Sequence, residues 1–135
     1  MKQLPLCLTA VISFSLLNVA TADPMTDCDT RMRSKQYREA LPFCQEACNL
    51  NNGLGCNNLG LLYEHGQDYL QAKIYYEKAC NLNSGIGCSD LGFLYNNGLG
   101  VRQNYQTAKE YHGKACDLGD QVGCDRYREL NKKGY

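Results

Sequence analysis

The side chains in this 135-residue sequence with chemistry to offer are nine cysteines, two histidines and a scatter of carboxylates. Eight cysteines lie beyond residue 22: Cys28, Cys44, Cys48, Cys56, Cys80, Cys88, Cys116 and Cys124. Thiolate zinc sites use cysteines a few residues apart with a second such pair nearby. Only Cys44 and Cys48 are that close, and neither His65 nor His112 completes a set, so no metal or other cofactor is expected. An even cysteine count in a small exported chain reads instead as a disulfide framework. For hydrolysis the one adjacent acid and base are Glu64 and His65, a weak candidate pair. A serine β-lactamase needs Ser-x-x-Lys and Lys-Thr-Gly. Ser34, Ser84 and Ser89 are not followed by lysine three residues on, and Lys-Thr-Gly is missing. No nucleophile set is visible.

The elements that position these residues begin after the first 22. Lys2 precedes an uncharged run over 4–20, and Ala20-Thr21-Ala22 supplies small residues at a cleavage site. This reads as a secretory signal cut after Ala22. Thr9, Ser13, Ser15 and Asn18 interrupt the run and favour a signal over a membrane anchor. The remaining stretch, 23–135, is one domain's length. Fourteen basic side chains balance 14 acidic ones without a basic stripe, which argues against nucleic acid as partner. No further run reaches membrane-spanning length. A monomer in the periplasm or outside the cell is expected.

Internal repetition sets the architecture. ACNLNNGLGC (47–56), ACNLNSGIGC (79–88) and ACDLGDQVGC (115–124) align, with NNLGLLYEHG (57–66) and SDLGFLYNNG (89–98) between them. The repeat is 32 residues from Cys56 to Cys88 and 36 from Cys88 to Cys124, the longer copy carrying Leu99-Gly100-Val101-Arg102. Each copy reads as two helices. A front helix runs from about Cys56 to His65, with Leu59, Leu62 and Tyr63 on one face, and Gly66 ends it. A back helix comes next over about Tyr69 to Leu82, with Ala72, Tyr75, Tyr76 and Ala79 at helical spacing. Gly60 and Gly92 sit inside front helices, where glycine costs about 1 kcal/mol against alanine. They are expected to let the two helices close up on the small residues Ala72, Ala79, Ala108 and Ala115.

LGxLYxxG followed by a back helix of the KAxxYYxKAC type resembles the Sel-1-like repeat, a relative of the tetratricopeptide repeat. The added Cys-x7-Cys unit is similar to the cysteine-rich, exported bacterial branch, the Hcp β-lactamase family. Gln121 and Arg128 stand where the other copies carry glycine, and the first copy is four residues short. The resemblance implies an all-α fold: a right-handed α-solenoid of antiparallel helix pairs, about seven short helices, stapled by disulfides. The segments would be a leading hairpin (23–50), repeats over 51–82 and 83–118, and a polar capping helix (119–135). Sliding the repeat upstream places YREALPFCQEACNL (37–50) on YLQAKIYYEKACNL (69–82), with Cys28 on Gly60 and Cys44 on Tyr76. The pairs expected on that register are Cys28–Cys44 across the hairpin, and Cys48–Cys56, Cys80–Cys88 and Cys116–Cys124 across the turns between repeats.

The resemblance also places the front helices on a concave face. There Asn57, Leu61, Glu64, Ser89, Phe93, Asn96 and Asn97 are expected to be free to bind, with His65, Asp125, Glu129 and Lys132 continuing the row. Paired donors and acceptors on asparagine suit a peptide backbone, and Phe93 with Leu61 suits apolar anchoring. The expected function is a protein- or peptide-binding scaffold. Its partner would be a toxin effector or an envelope protein, since exported relatives of this type include immunity proteins. The other activity the resemblance implies is weak β-lactam hydrolysis or penicillin binding.

Overall fold

Six of the seven described helices, all but Tyr37–Asn49, start where a short polar side chain takes an orphan backbone N–H. Asn52 Oδ1 accepts from Gly55 N at 2.9 Å, Ser84 Oγ from Gly87 N at 3.2 Å, and Asp120 Oδ2 from Gly123 N at 2.7 Å. Asp68 and Asn104 cap the back helices in the same way. Five of the six turns are short because one residue in each takes a left-handed conformation: Lys35, Asn51, Gln67, Asn83 and Gly119. The computed structural model describes residues 23–135, so the secretory-signal reading lies outside the described residues. Seven helices succeed one another: α1 (Pro24–Arg33), α2 (Tyr37–Asn49), α3 (Gly53–His65), α4 (Tyr69–Asn81), α5 (Gly85–Asn97), α6 (Tyr105–Asp117) and α7 (Gln121–Lys132). No described helix is long and apolar enough to cross a membrane.

The helices pair as α1–α2, α3–α4 and α5–α6, and each back helix also packs on the next front helix. Front helices touch across repeats, α1 with α3, α3 with α5 and α5 with α7, whereas α2, α4 and α6 have no comparable mutual packing. The front helices are therefore the inner layer of a curved α-solenoid. Its core is one seam in which the cysteines serve as apolar filling beside Ala40, Leu59 and Ala79, then Ala72, Tyr76, Leu91 and Leu94. The bridges are Cys28–Cys44, Cys48–Cys56, Cys80–Cys88 and Cys116–Cys124. The first three are buried, and the fourth is half-buried.

Two sequence expectations need correction. The front helices begin at Gly53 and Gly85, three residues before Cys56 and Cys88, because the Asn52 and Ser84 caps draw the glycine-rich stretch into the first turn. Gly66 ends α3 as expected, with φ −78°, and the left-handed residue that follows is Gln67. The alanines and glycines do meet, but between neighbouring hairpins. A Cβ on Gly55, Gly87 or Gly123 would lie about 2.5 Å from the methyl of Ala47, Ala79 or Ala115. Gly60 and Gly92 face rings instead. A Cβ on Gly60 would lie 2.5 Å from the Tyr76 ring, and one on Gly92 2.8 Å from the His112 ring.

One position of the back helix thus has three occupants. Cys44 is bridged to Cys28, Tyr76 lies over Gly60, and His112 lies over Gly92. A second position repeats more faithfully. Tyr63 stacks on Tyr75 at 5.3 Å, Tyr95 on Tyr111 at 5.6 Å, and Arg31 covers Phe43 at 4.2 Å in the corresponding place. The four extra residues of the longer copy close a loop onto α4. Leu99 and Val101 join the Tyr76 cluster, and Gly100, with φ +64°, passes so close to Tyr69 that a Cβ would meet its backbone at 2.7 Å.

Candidate functional site

Side chains on one face of a front helix recur at intervals of three, four and seven. In α5 this puts Ile86, Ser89, Asp90, Phe93 and Asn97 on the inner layer. Ser89, Asp90, Phe93, Asn96 and Asn97 line a cleft of about 220 Å³ with His112 of α6 and Val122 and Arg126 of α7. Phe93 is 42% exposed and Val122 58% exposed, beside a polar floor. Leu54 and Ile86, at the same place in α3 and α5 as Val122 in α7, are exposed too. The groove therefore carries an aliphatic row, Leu54–Ile86–Val122, beside Leu61 and Phe93. Sequence inspection missed that row, although an apolar residue recurring in the first turn of three aligned helices was its signal.

The site residues named from sequence fare unequally. Leu61, Phe93, Asn96 and Asn97 reach the inner surface, with Asn97 Nδ2 donating to Phe93 O at 2.8 Å. Asn57 and Ser89 are a correction, being 1% and 5% exposed. Contact between successive front helices, α3 with α5 and α5 with α7, covers them, so they pack rather than project; Ser89 still edges the cleft. Asp125 pairs with Arg128, and Glu129 with Arg126 and Lys133, so these acids are engaged on their own helix. Lys132 is exposed.

Glu64 and His65 border a separate cleft of about 210 Å³ with Leu61, Gln67 and Tyr69, but they do not pair. Consecutive helical residues point apart. Glu64 Oε2 accepts from Tyr76 Oη at 2.6 Å, and the His65 ring stacks on Tyr37 at 4.6 Å. As an acid/base couple they are therefore a second correction. The phenol of Tyr76 is held far above its ordinary range by burial, then by that bond to Glu64.

The electrostatics concentrate in the α5–α7 cleft. Burial pushes the Asp90 carboxyl up to about 7, against a hydrogen bond from Asn57 and with the negative charges of Glu64 and Asp120 adding to the rise. Burial, then Arg126, lowers His112 to about 4, so its ring is neutral at ordinary pH. His112 is 3% exposed, and its Nδ1 has no partner among the described residues. Asp90 was missed from sequence because it aligns with Asn58, and His112 because it aligns with Tyr76.

The Sel1 repeat model matches residues 53–84 and 86–120. The fold is similar to that of Helicobacter pylori cysteine rich protein B, with TM-score 0.67 and 34% identity, over 77% of this chain and 85% of that one. A Sel1 repeat protein from Oxalobacter formigenes shares the fold with TM-score 0.72 at 23% identity, over 83% of this chain and 50% of its own length. No curated protein sequence gives a significant match. Repeat, cysteine spacing, bridges and fold agree: the chain belongs to the Sel1 repeat family, in its cysteine-rich branch.

Proposed function

We propose that this protein is a scaffold that holds a protein or peptide in the groove of its front helices, in the periplasm or outside the cell. The observation that carries the reading is the exposed apolar row on the inner layer. Leu54, Ile86, Phe93 and Val122 stay in solvent although the fold has a core to bury them in. Such residues, rimmed by polar groups, mark interaction surfaces. Four disulfides support the compartment, since bridges of this kind persist where thiols are oxidised. The partner class is an incoming toxin effector or a resident envelope protein. Both would meet the groove as a folded edge or an extended segment.

The experiment is affinity capture from an envelope extract on the oxidised protein, beside Phe93→Asp, Val122→Asp and Ile74→Asp variants. A partner held by the wild type and by Ile74→Asp, a substitution on exposed α4, but lost from the other two supports the groove. A partner lost equally from all three, or from Ile74→Asp alone, contradicts it.

A further inference from the structure

The α5–α7 cleft has a feature that a general apolar groove does not need. Asp90 is half-buried, with a hydrogen bond from Asn57, yet among the described residues no ion pair reaches it. A carboxylate taken out of water without a cation is costly, and the arrival of one relieves that cost. Beside it His112 is buried with an unpartnered ring nitrogen, and a neutral imidazole offers one nitrogen as acceptor. Phe93 and Val122 form apolar walls, and Ser89 and Asn96 add polar groups at the edge. Arg126 at the mouth is paired with Glu129 at 3.0 Å, a carboxylate it shares with Lys133. The volume of about 220 Å³ is smaller than the roughly 300–1,000 Å³ of small-molecule sites and suits one long side chain.

We propose that this cleft receives the ammonium or guanidinium head of a lysine or arginine side chain on a peptide lying in the groove. Asp90 is its counter-ion, His112 and Ser89 accept its hydrogen bonds, and Phe93 and Val122 flank its methylene stem. The proposal rests on the groove reading above and names the partner's chemistry at one point of it. The site has no counterpart one repeat earlier, where Asn58 replaces Asp90 and Tyr76 replaces His112, with its hydroxyl already bonded to Glu64.

The test is an NMR titration of the oxidised protein at about pH 8, where the Asp90 carboxyl is ionised. The probes are butylguanidinium, butyrate, butyramide and the capped tripeptide acetyl-Leu-Arg-Leu-amide. Saturable shifts at Phe93, Val122 and His112 with butylguanidinium but not with butyrate or butyramide are expected. Loss of a charged partner should weaken binding about tenfold or more in Asp90→Asn, and Asp90→Glu should retain the preference. Phe93→Ala, at an exposed position, should weaken the cation several-fold without touching the core. The tripeptide should bind about tenfold tighter than the free cation, since its leucines add apolar contact.

Butyrate binding as well as the cation, with Arg126→Ala abolishing it, would make this an anion site and overturn the proposal. Equal affinity for the tripeptide and the free cation would overturn the peptide as its source. A partner captured through Phe93 and Val122 alongside either result leaves the groove standing and removes only the cation pocket.

Discussion

The α3–α4 and α5–α6 hairpins share a backbone plan, a facing glycine, a tyrosine stack and a bridge to the next unit, yet one is closed and the other open. In the first, Tyr76 fills the space over Gly60, and its hydroxyl reaches Glu64 at 2.6 Å. In the second, His112 lies over Gly92 but is too short to reach across, and Asn96 stands in the place of Glu64. The outcome is a cleft of about 220 Å³ with an orphaned histidine nitrogen and a half-buried carboxyl, Asp90. Three positions, Asn58/Asp90, Glu64/Asn96 and Tyr76/His112, separate a packed interior from an open cleft. In a solenoid the backbone is fixed by its repeating contacts, so each unit can spend one interior position on function while its neighbours supply stability.

The largest expected effect comes from opening the closed hairpin. Tyr76 is fully buried, and Tyr76→Ala should lower unfolding free energy by about 3–5 kcal/mol in urea melts of the oxidised protein. His112→Ala should cost about 1–2 kcal/mol, because its polar edge is already unsatisfied. Equal losses would show that the hairpins are not differently packed.

Closing the open hairpin comes next. His112→Tyr with Asn96→Glu transplants the first repeat's pair. Gly92 leaves room for the ring as Gly60 does. The double variant should gain about 0.5–1.5 kcal/mol from the new hydrogen bond and should lose the groove-bound partner. A gain in stability with partner binding intact would break the link between the cleft and function.

The pH response separates the two titrating groups. Asp90, raised to about 7, contributes stability that is present below its ordinary pKa of 3.8 and lost as pH rises towards 7. His112, lowered from 6.5 to about 4, contributes stability that is present above 6.5 and lost as pH falls towards 4. Between 4 and 6.5 the slopes oppose, so the wild type should be nearly flat. Asp90→Asn should then lose stability on acidification through that window, and His112→Gln should lose it as pH rises from 4 to 7. The groups that bear on the pair are Asn57, Glu64, Asp120, Arg126 and Glu129. Thermal melts across the range read the slopes, and parallel curves for wild type and both variants would contradict the assignment.

The last contrast concerns the order in which the staples open, not their total contribution. Short-loop bridges contribute roughly 2–3 kcal/mol each in the chain-entropy model. Cys80–Cys88 is buried, whereas Cys116–Cys124 is half-buried at the last turn. Graded dithiothreitol with alkylation and mass mapping should find Cys116 and Cys124 modified first, since access controls exchange. Simultaneous reduction of all four bridges would show one cooperative unit.

The repeat, the seven helices and the register of the cysteines were legible in the sequence because they recur, and recurrence reports shared contacts without a structure. Helix starts were read late at Cys56 and Cys88, because a glycine-rich stretch looks like a turn until its Asn52 or Ser84 cap is seen. The site was harder to read. A helical face gives direction but not depth, so Asn57 and Ser89 looked free when contact between front helices covers them. Asp90 and His112 depart from the repeat, and a departure carries no sign of whether it fills space or leaves it open. Comparing position 112 with position 76 for size, and position 96 with position 64 for reach, would have raised the question.

The most direct measurement is site-specific photo-crosslinking in the living cell envelope. A benzophenone side chain would replace Leu61, Phe93 or, on exposed α6, Glu110. Strong adducts at 93, weak ones at 61 and none at 110 are expected. Equal yields at 61 and 93 would contradict the open and closed hairpins, and adducts strongest at 110 would contradict the groove itself.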